Sequence, residues 1–225
     1  FAAATPVAAQ CAPIAGWDQV LADERSRIIV LGEMHGSNEI PAVFADAVCL
    51  TAQSRRVVVA VEQPSSDQSA VDAFIASDGG EAARSAFLQA AMWNGPMKDG
   101  RSSEAYFRLF EQLRQMRAAG VIAAVVAFQP AMAGAPPTPE QYEIAMANLV
   151  RAARQADTTV LALVGNVHAM LTPVPWEPRY TAIAGHLPAE EVLTLNASGA
   201  GGEAWNCRSR DDCGAKPAFA PDSHS

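Results

Sequence analysis

Four acid or imidazole side chains stand directly after short apolar runs in this sequence. They are Glu33, His35, Glu62 and His168. Carboxylate and imidazole groups in one cleft can share protons, with a histidine activating water or a hydroxyl and a carboxylate orienting that histidine. The same four groups can instead ligate a divalent metal that polarises a carbonyl or generates hydroxide. The residue types alone leave both chemistries open.

The first apolar run opens the segment IIVLGEMHGSNEIPA, residues 28–42. Its first four residues predict a short buried strand, and we expect Gly32 to end that strand. The polar side chains that follow lie between a strand and a helix, where open α/β sheets bind their ligands. We therefore expect Asn38 and Glu39 to contact substrate. The alternative is that the acid of this segment caps the helix and its histidine is an ordinary turn residue.

Two later strand ends repeat this arrangement. The β-branched run 57–61 is typical of a strand buried on both faces, and it ends at Glu62. The run 159–164 ends in Gly165-Asn166-Val167-His168, where we expect Asn166 to contact substrate. Three strand ends that each deliver an acid or a base favour one shared site at the carboxyl edge of a sheet.

Helical and extended patterns alternate along the chain between these motifs. Helices are predicted over residues 14–22, 39–53, 103–118 and 139–155, with two shorter helices between 67 and 92. Further strands are predicted over residues 121–128 and 192–195. This alternation predicts an α/β fold with a mainly parallel central sheet and helices on both of its faces.

The chain divides into three parts on composition. Residues 1–13 are Ala-rich and uncharged and resemble the end of a secretory signal or the residues just after its removal. Residues 14–198 form a single α/β domain, and residues 199–225 form a Gly-rich tail that we expect to be irregular and tied by cysteines. The start of the chain therefore predicts a periplasmic or secreted protein.

Four cysteines support the same location. An even number of cysteines in an exported chain favours disulfides. Cys207 and Cys213 bracket a short polar loop and are predicted to pair, which leaves Cys11 to pair with Cys49. The alternative is four reduced thiols in a cytosolic protein.

Composition also limits the partners. The 225 residues carry a formal net charge of −8, which argues against a nucleic-acid partner because phosphate binding needs clustered Lys and Arg. No run approaches the roughly 20 apolar residues of a transmembrane segment. A small-molecule or peptide substrate is the expected partner.

Residues 92–103, MWNGPMKDGRSS, contain too many turn residues for a helix or a strand. We expect this segment to form a loop over the site, with Trp93 and Arg101 lining the mouth of the cleft and binding substrate. Arg101 is the best local clamp for an anionic group. The alternative is that the loop is a plain connection.

These motifs resemble those of the superfamily that unites erythromycin esterases, ChaN-like haem-binding proteins and Tiki/TraB-type proteins. The resemblance rests on G-E-x-H-G after the first strand, a Glu at the end of the second, and G-N-x-H-A after a late strand, and it covers roughly residues 25–196. By resemblance to the erythromycin esterases, the four strand-end residues form a catalytic cleft. Tiki-type members imply a metal-dependent protease built on two G-x-x-H motifs, here Gly32 to His35 and Gly165 to His168.

ChaN-like members imply haem binding instead. The possible axial ligands are His35, His168, Tyr106, Tyr142 and Tyr180. The chain departs from related chains before its AMANL segment, where we expect an Arg and find Tyr142 and Glu143. The favoured function is an exported hydrolase of an ester, lactone or peptide bond. The alternative is a haem-binding or haem-uptake protein that uses the same cleft without catalysis.

Overall fold

The computed structural model describes residues 11–95, 98–130, 138–173, 177, 180–199, 201–207, 209 and 211–218. Nearly all of the predicted post-signal segment therefore lies outside the described residues. Within these ranges, no helix is both long enough and apolar enough to cross a membrane.

Helices and strands alternate through most of the chain. The helices are α1 (Trp17–Ala22), α2 (Glu39–Ala52), α3 (Gln68–Ile75), α4 (Glu81–Phe87), α5 (Ala91–Asn94), α6 (Glu104–Ala118) and α7 (Pro139–Ala153). The strands are β1 (Ile28–Glu33), β2 (Arg56–Pro64), β3 (Ile122–Gln129), β4 (Thr158–Gly165), β5 (Val192–Asn196), β6 (Glu203–Cys207) and β7 (Cys213–Pro217). Single turns of 3-10 helix cover Ser65–Asp67 and Ile183–His186.

The first five strands form one parallel sheet in the order β3-β2-β4-β1-β5. Its register places Glu33 beside Gly165 of β4, and Gly32 beside Asn196 of β5. Because all five strands run the same way, their carboxyl ends meet at one edge of the sheet, where the predicted acids and histidines lie. The predicted α/β fold is confirmed.

Both faces of the sheet are covered by helices. Successive strand residues point to opposite faces, so Ile28 and Ile29 belong to different cores. Ile29 is buried with Phe44 of α2 and Phe110 of α6. Ile28 is buried with Met146 of α7 on the opposite face. α7 therefore approaches the sheet from the side opposite to α2 and α6.

We expected Gly32 to end β1, but it does not. The strand continues through Glu33, and all six of its residues are buried. A Cβ on Gly32 would lie 1.9 Å from Oδ1 of Asn196 and 2.8 Å from Cβ of Ala169. Glycine is required here because Asn196 and Ala169 pack directly against the strand. Glu33 is therefore a buried residue of β1 and not part of the loop after it.

Both long helices that contact the site begin at side-chain caps. Ser103 caps α6 and accepts a hydrogen bond from the backbone N–H of Tyr106. Thr138 and Gln141 form a reciprocal capping box at the start of α7, followed by Pro139 at its first turn. Each cap satisfies backbone donors that the helix leaves unpaired and fixes where the helix starts.

Both predicted disulfides are present, joining Cys11 to Cys49 and Cys207 to Cys213. The second disulfide closes the antiparallel hairpin of β6 and β7, so this part of the tail is regular rather than irregular. The hairpin rests on the domain, since the backbone N–H of Trp205 donates to the carbonyl oxygen of Gly36 at 3.1 Å. It therefore lies against the loop that follows β1.

Candidate active site

The first acid and histidine pair forms at the end of β1. Glu33 is buried, and its Oε1 lies 2.8 Å from Nδ1 of His35 and also accepts a hydrogen bond from the hydroxyl of Tyr106. A carboxylate only accepts, so Nδ1 of His35 carries the proton and Nε2 is left for chemistry. Burial and the charge of Glu33 raise the pKa of Tyr106 well above its usual range, which keeps the hydroxyl a donor.

A second pair of the same kind forms across the sheet edge. Glu143 of α7 is buried, and its Oε2 lies 2.9 Å from Nδ1 of His168 and accepts from the backbone N–H of Ile183 at 2.9 Å. The hydroxyl of Tyr180 donates to the other oxygen of Glu143. In the sequence, Glu143 stands out only because an arginine was expected near it, so its role as partner of His168 was missed.

The two pairs converge on Glu62. Nε2 of His35 lies 3.9 Å from Oε2 of Glu62, and Nε2 of His168 lies 3.9 Å from Oε1 of the same carboxylate. The backbone N–H of Gly165 donates to Oε2 of Glu62 at 2.8 Å. Since 3.9 Å exceeds hydrogen-bonding distance, neither Nε2 atom is hydrogen-bonded to Glu62.

Gly165 makes this convergence possible. A Cβ at this position would lie 3.1 Å from Nε2 of His35 and 3.4 Å from Cδ2 of His168. Both rings therefore approach the same point of the backbone, and a side chain there would push them apart.

Arg101 binds within the cleft. Its Nη1 donates to Oε1 of Glu62 at 2.6 Å, and its Nη2 donates to Oδ2 of Asp99 at 2.6 Å. Gln63 fixes the same loop by donating to the carbonyl oxygen of Arg101 at 2.8 Å. The guanidinium thus contacts two carboxylates of the protein, so its first role is to compensate the charge of Glu62.

Charge coupling across the cleft shifts the pKa values of its ionisable groups. Burial alone lowers the pKa of a histidine, but hydrogen bonding to the partner glutamate and the charge of Glu62 outweigh it, so the pKa values of His35 and His168 are raised. Burial raises the pKa of Glu62, yet the charges of Arg101 and the two histidines lower it overall. The cleft therefore favours ionised Glu62 beside protonated imidazole.

Trp93 lies elsewhere than we expected. Only 7% of its surface is exposed, and its ring packs edge-on against Phe87, Phe107 and Phe110. Four aromatic rings from three helices bury more apolar surface together than one indole would at a loop surface. The prediction that Trp93 binds substrate without supporting the fold is wrong, because it is part of the core.

The remaining predicted substrate contacts divide into two groups. Asn38 is exposed, and its side-chain oxygen accepts from Arg108 at 3.1 Å. Glu39 and Asn166 are also exposed and line a cavity of about 680 Å³ next to the cleft. Only the last two are therefore placed where a bound molecule could touch them.

The cleft residues do not suit a divalent metal. In the described part of the chain, no three or more His, Cys, Asp or Glu side chains are arranged to hold a metal ion. Arg101 already places a positive charge on Glu62, the carboxylate that both Nε2 atoms face. A divalent ion would have to displace the guanidinium. The metal chemistry that the G-x-x-H motifs imply therefore finds no suitable donor set here.

Haem has fewer possible ligands here than the sequence allowed. The hydroxyls of Tyr106 and Tyr180 donate to Glu33 and Glu143, so either tyrosine would have to break a hydrogen bond to ligate iron. The Nε2 atoms of His35 and His168 and the hydroxyl of Tyr142 remain candidate ligands.

Comparisons with known proteins bear on the fold. The sequence matches no protein-family model and no curated protein. A structure described as bacterial protein toxins aligns with a TM-score of 0.53 at 18% identity, over 93% of this chain and 39% of the toxin chain. The type III effector HopBA1 aligns with a TM-score of 0.51 at 18% identity, over 96% of this chain and 98% of the effector chain. This chain thus spans about two fifths of the toxin chain, and at such identities the likeness concerns the fold alone.

Proposed function

We propose that this protein is an exported hydrolase that cleaves an ester, lactone or peptide bond in the cleft around Glu62. One observation carries the proposal, namely two buried Glu–His pairs whose free Nε2 atoms both lie 3.9 Å from one carboxylate. A protein that only binds a ligand has no need of two oriented imidazoles, whereas hydrolysis needs one group to take a proton and another to give one. The resemblance of the motifs to erythromycin esterases supports the same reaction class.

The proposed reaction moves two protons. A neutral imidazole takes a proton from water at Nε2 while the water oxygen forms a bond to the carbonyl carbon. The other imidazole, which starts protonated, then gives its Nε2 proton to the leaving oxygen or nitrogen. The bond between that leaving atom and the carbonyl carbon breaks in the same step. A proton returns from the first imidazole to the second through water, which restores the starting state. Glu62 stabilises whichever imidazole is charged at each step.

Differences between the two glutamates assign the roles. Glu143 accepts from three donors, His168, Tyr180 and the Ile183 N–H, which spread its charge. Glu33 accepts from two, and its Oε2 is buried with no partner among the described residues. The less compensated glutamate holds an imidazolium more strongly, so His35 is the acid and His168 the base.

Arg101 is a positioning residue in this scheme. It keeps Glu62 ionised through the 2.6 Å contact to Oε1, and it holds that carboxylate between the two rings. Its Nη2 also donates to Oδ2 of Asp99, which fixes the guanidinium in place.

Location outside the cytoplasm is part of the proposal. Disulfides persist in oxidising compartments, and both predicted pairs are formed.

Two esters with one acyl group test the function and the assignment of roles together. In 4-nitrophenyl butyrate the leaving group departs without a proton, whereas the ethoxide of ethyl butyrate needs one. We expect His168→Ala to lower kcat/KM for both esters by about 10²- to 10⁴-fold, and His35→Ala to do so mainly for the ethyl ester. Release of nitrophenol and pH-stat titration measure the two reactions.

Two outcomes would count against the proposal. If wild-type protein hydrolysed none of these esters, no lactone and no peptide anilide faster than buffer alone does, the hydrolase function would be ruled out. If both variants kept wild-type rates, the cleft would not be the site of chemistry. Equal losses for both esters in both variants would reject the separate acid and base roles.

A further inference from the structure

A cavity of about 680 Å³ lies beside the cleft at the same edge of the sheet. Its floor is formed by the ends of β4 and β5, where Asn166 and Asn196 contribute side chains. The start of α2 forms one wall and the base of the disulfide-tied hairpin forms the other. Its volume falls in the range that small-molecule sites usually have, about 300 to 1,000 Å³. We call it the acidic pocket.

Chain connectivity places the acidic pocket next to the catalytic cleft. Met34, which lines it, stands between Glu33 and His35, and Asn166 follows Gly165 directly. Residues that line the pocket are therefore immediate neighbours of those that position the rings. A substrate whose scissile bond lies at the histidines can extend a side group over this loop into the pocket.

The lining is apolar with acids at the rim. Ile40 and Val43 of α2 face the pocket, and Val43 is 42% exposed, a high value for an apolar side chain. Glu39 and Glu203 are the charged residues of the lining, and none of the described lining residues is basic. Lys216, on the neighbouring strand, is paired with Asp212 at 2.5 Å. The pocket therefore presents apolar surface under a negative potential.

We propose that the acidic pocket is the subsite for one side group of the substrate, and that it takes an apolar group that is either uncharged or positively charged. The proposal rests on the hydrolase function and adds a substrate class to it. Carboxylate-bearing groups are excluded because Glu39 and Glu203, which form no ion pair within the described part of the chain, would repel them at close range. The apolar wall supplies affinity, and the two glutamates supply discrimination by charge.

Three 4-nitrophenyl esters of similar acyl length test the charge preference. They are the pentanoate, which is neutral, the 4-(trimethylammonio)butanoate, which is cationic, and the monoglutarate, which is anionic. We expect kcat/KM for the anionic ester to be about tenfold or more below the other two at low salt. In Glu203→Lys the ratio of cationic to anionic kcat/KM should fall by about tenfold. Glu81→Lys makes the same charge change at the start of α4 and should leave this ratio unchanged.

Binding of unreactive probes tests the pocket without catalysis. Ligand-observed NMR should detect butyltrimethylammonium binding to wild-type protein and not pentanoate binding. Val43→Trp should abolish that signal, because the indole would fill the pocket from its rim. Leu88→Trp is the matched control, since Leu88 is 41% exposed and lies at the end of α4. Circular dichroism checks that both variants fold.

The two experiments fail in different ways. Cation binding that Val43→Trp removes, with no ester hydrolysed, would support the pocket and overturn the hydrolase. Hydrolysis with equal rates for the three esters, and no binding of the cationic probe, would overturn the pocket and leave the hydrolase intact. Preference for the anionic ester would also overturn the pocket.

Discussion

The two Glu–His pairs of the cleft have the same chemistry and opposite construction. Glu33 and His35 are two residues apart, so the end of one strand and the loop after it set their geometry. Glu143 and His168 are 25 residues apart, and their geometry depends on how α7 packs on the sheet. One pair is thus local in sequence and the other is tertiary.

Their surroundings differ in the same sense. The hydroxyl that supports Glu33 comes from Tyr106 of α6, whose side chain is buried in the core. The hydroxyl that supports Glu143 comes from Tyr180, which is only half-buried. The site is complete only in the folded domain, because the pair of Glu143 and His168 cannot form before α7 packs on the sheet.

Replacing the two carboxylates compares the pairs most strongly. Glu33→Gln and Glu143→Gln should each lower kcat for ethyl butyrate by about 10²- to 10⁴-fold, because an amide cannot stabilise the imidazolium that each proton transfer requires. Glu111→Gln is the control, since Glu111 pairs with Arg84 and Arg114 away from the cleft. If only one of the two site variants lost activity, the other pair would be structural.

Removing the ion pair between Arg101 and Glu62, the carboxylate that both Glu–His pairs face, should mainly affect stability. Arg101→Met removes the partner of Glu62, whose carboxylate is 3% exposed, and leaves a buried charge behind. We expect the free energy of unfolding to fall by about 3 kcal/mol in urea titrations. The double variant that carries both Arg101→Met and Glu62→Gln should recover part of the lost stability. A double variant less stable than Arg101→Met alone would contradict the ion-pair explanation.

The sequence predicted the local pair because its signal is local. An apolar run, a glycine and then Glu33 and His35 stand within one short segment. An apolar run also precedes Glu62 directly, and an apolar run with a glycine precedes His168. Strand ends of a parallel sheet share an edge, so the sequence could place these four groups together.

Glu143 carries no such signal. It lies inside an amphipathic helix, and its neighbours Tyr142 and Ile144 give no sign that this position faces the sheet edge rather than solvent. A mid-helix glutamate is usually exposed, and only the docking of α7 buries this one. A weak hint existed in the resemblance, since a polar contact was expected before the AMANL segment.

Trp93 and the hairpin show the same limit. Trp93 sits among turn residues, and its core position follows from packing against Phe87 of α4 and against Phe107 and Phe110 of α6. The strands β6 and β7 are short and polar, so periodicity does not reveal them, although the cysteine spacing predicted their disulfide. Tertiary contacts decide both cases, and a single sequence does not contain them in readable form.

Removing the two supporting hydroxyls should separate the pairs by stability. Tyr106→Phe takes a donor from Glu33 in a fully buried position, which should cost about 1 to 3 kcal/mol in the free energy of unfolding. Tyr180→Phe should cost less than about 1 kcal/mol in the free energy of unfolding. Tyr180 is only half-buried, so water can replace its hydroxyl as a donor to Glu143. Chemical denaturation of both variants measures this difference. Equal losses would show that the two pairs are supported alike.

The pH dependence of stability should give the smallest effect. The folded pKa values of His35 and His168 are raised, so their contribution is full below about pH 6.5, the unfolded value, and is lost as pH rises through the folded values. The folded pKa of Glu62 is lowered, so its contribution is present above about pH 4.3 and is lost as pH falls further.

Each histidine should contribute its own part of the alkaline decline. Unfolding free energies of His35→Ala and His168→Ala, measured from pH 5 to 9, should each decline less steeply above about pH 6.5 than the wild-type value. A wild-type stability that rises through this range would contradict the raised pKa values.

The claim that both pairs form one site is tested most directly by a double-mutant cycle in kcat/KM for ethyl butyrate. His35→Ala and His168→Ala should each lower kcat/KM by about 10²- to 10⁴-fold. The double variant should be no more than a few times slower than the slower single variant, because groups that act as one unit are not additive. A double variant whose loss equals the product of the two single losses would mean that the histidines act independently, and the single-site account would be wrong.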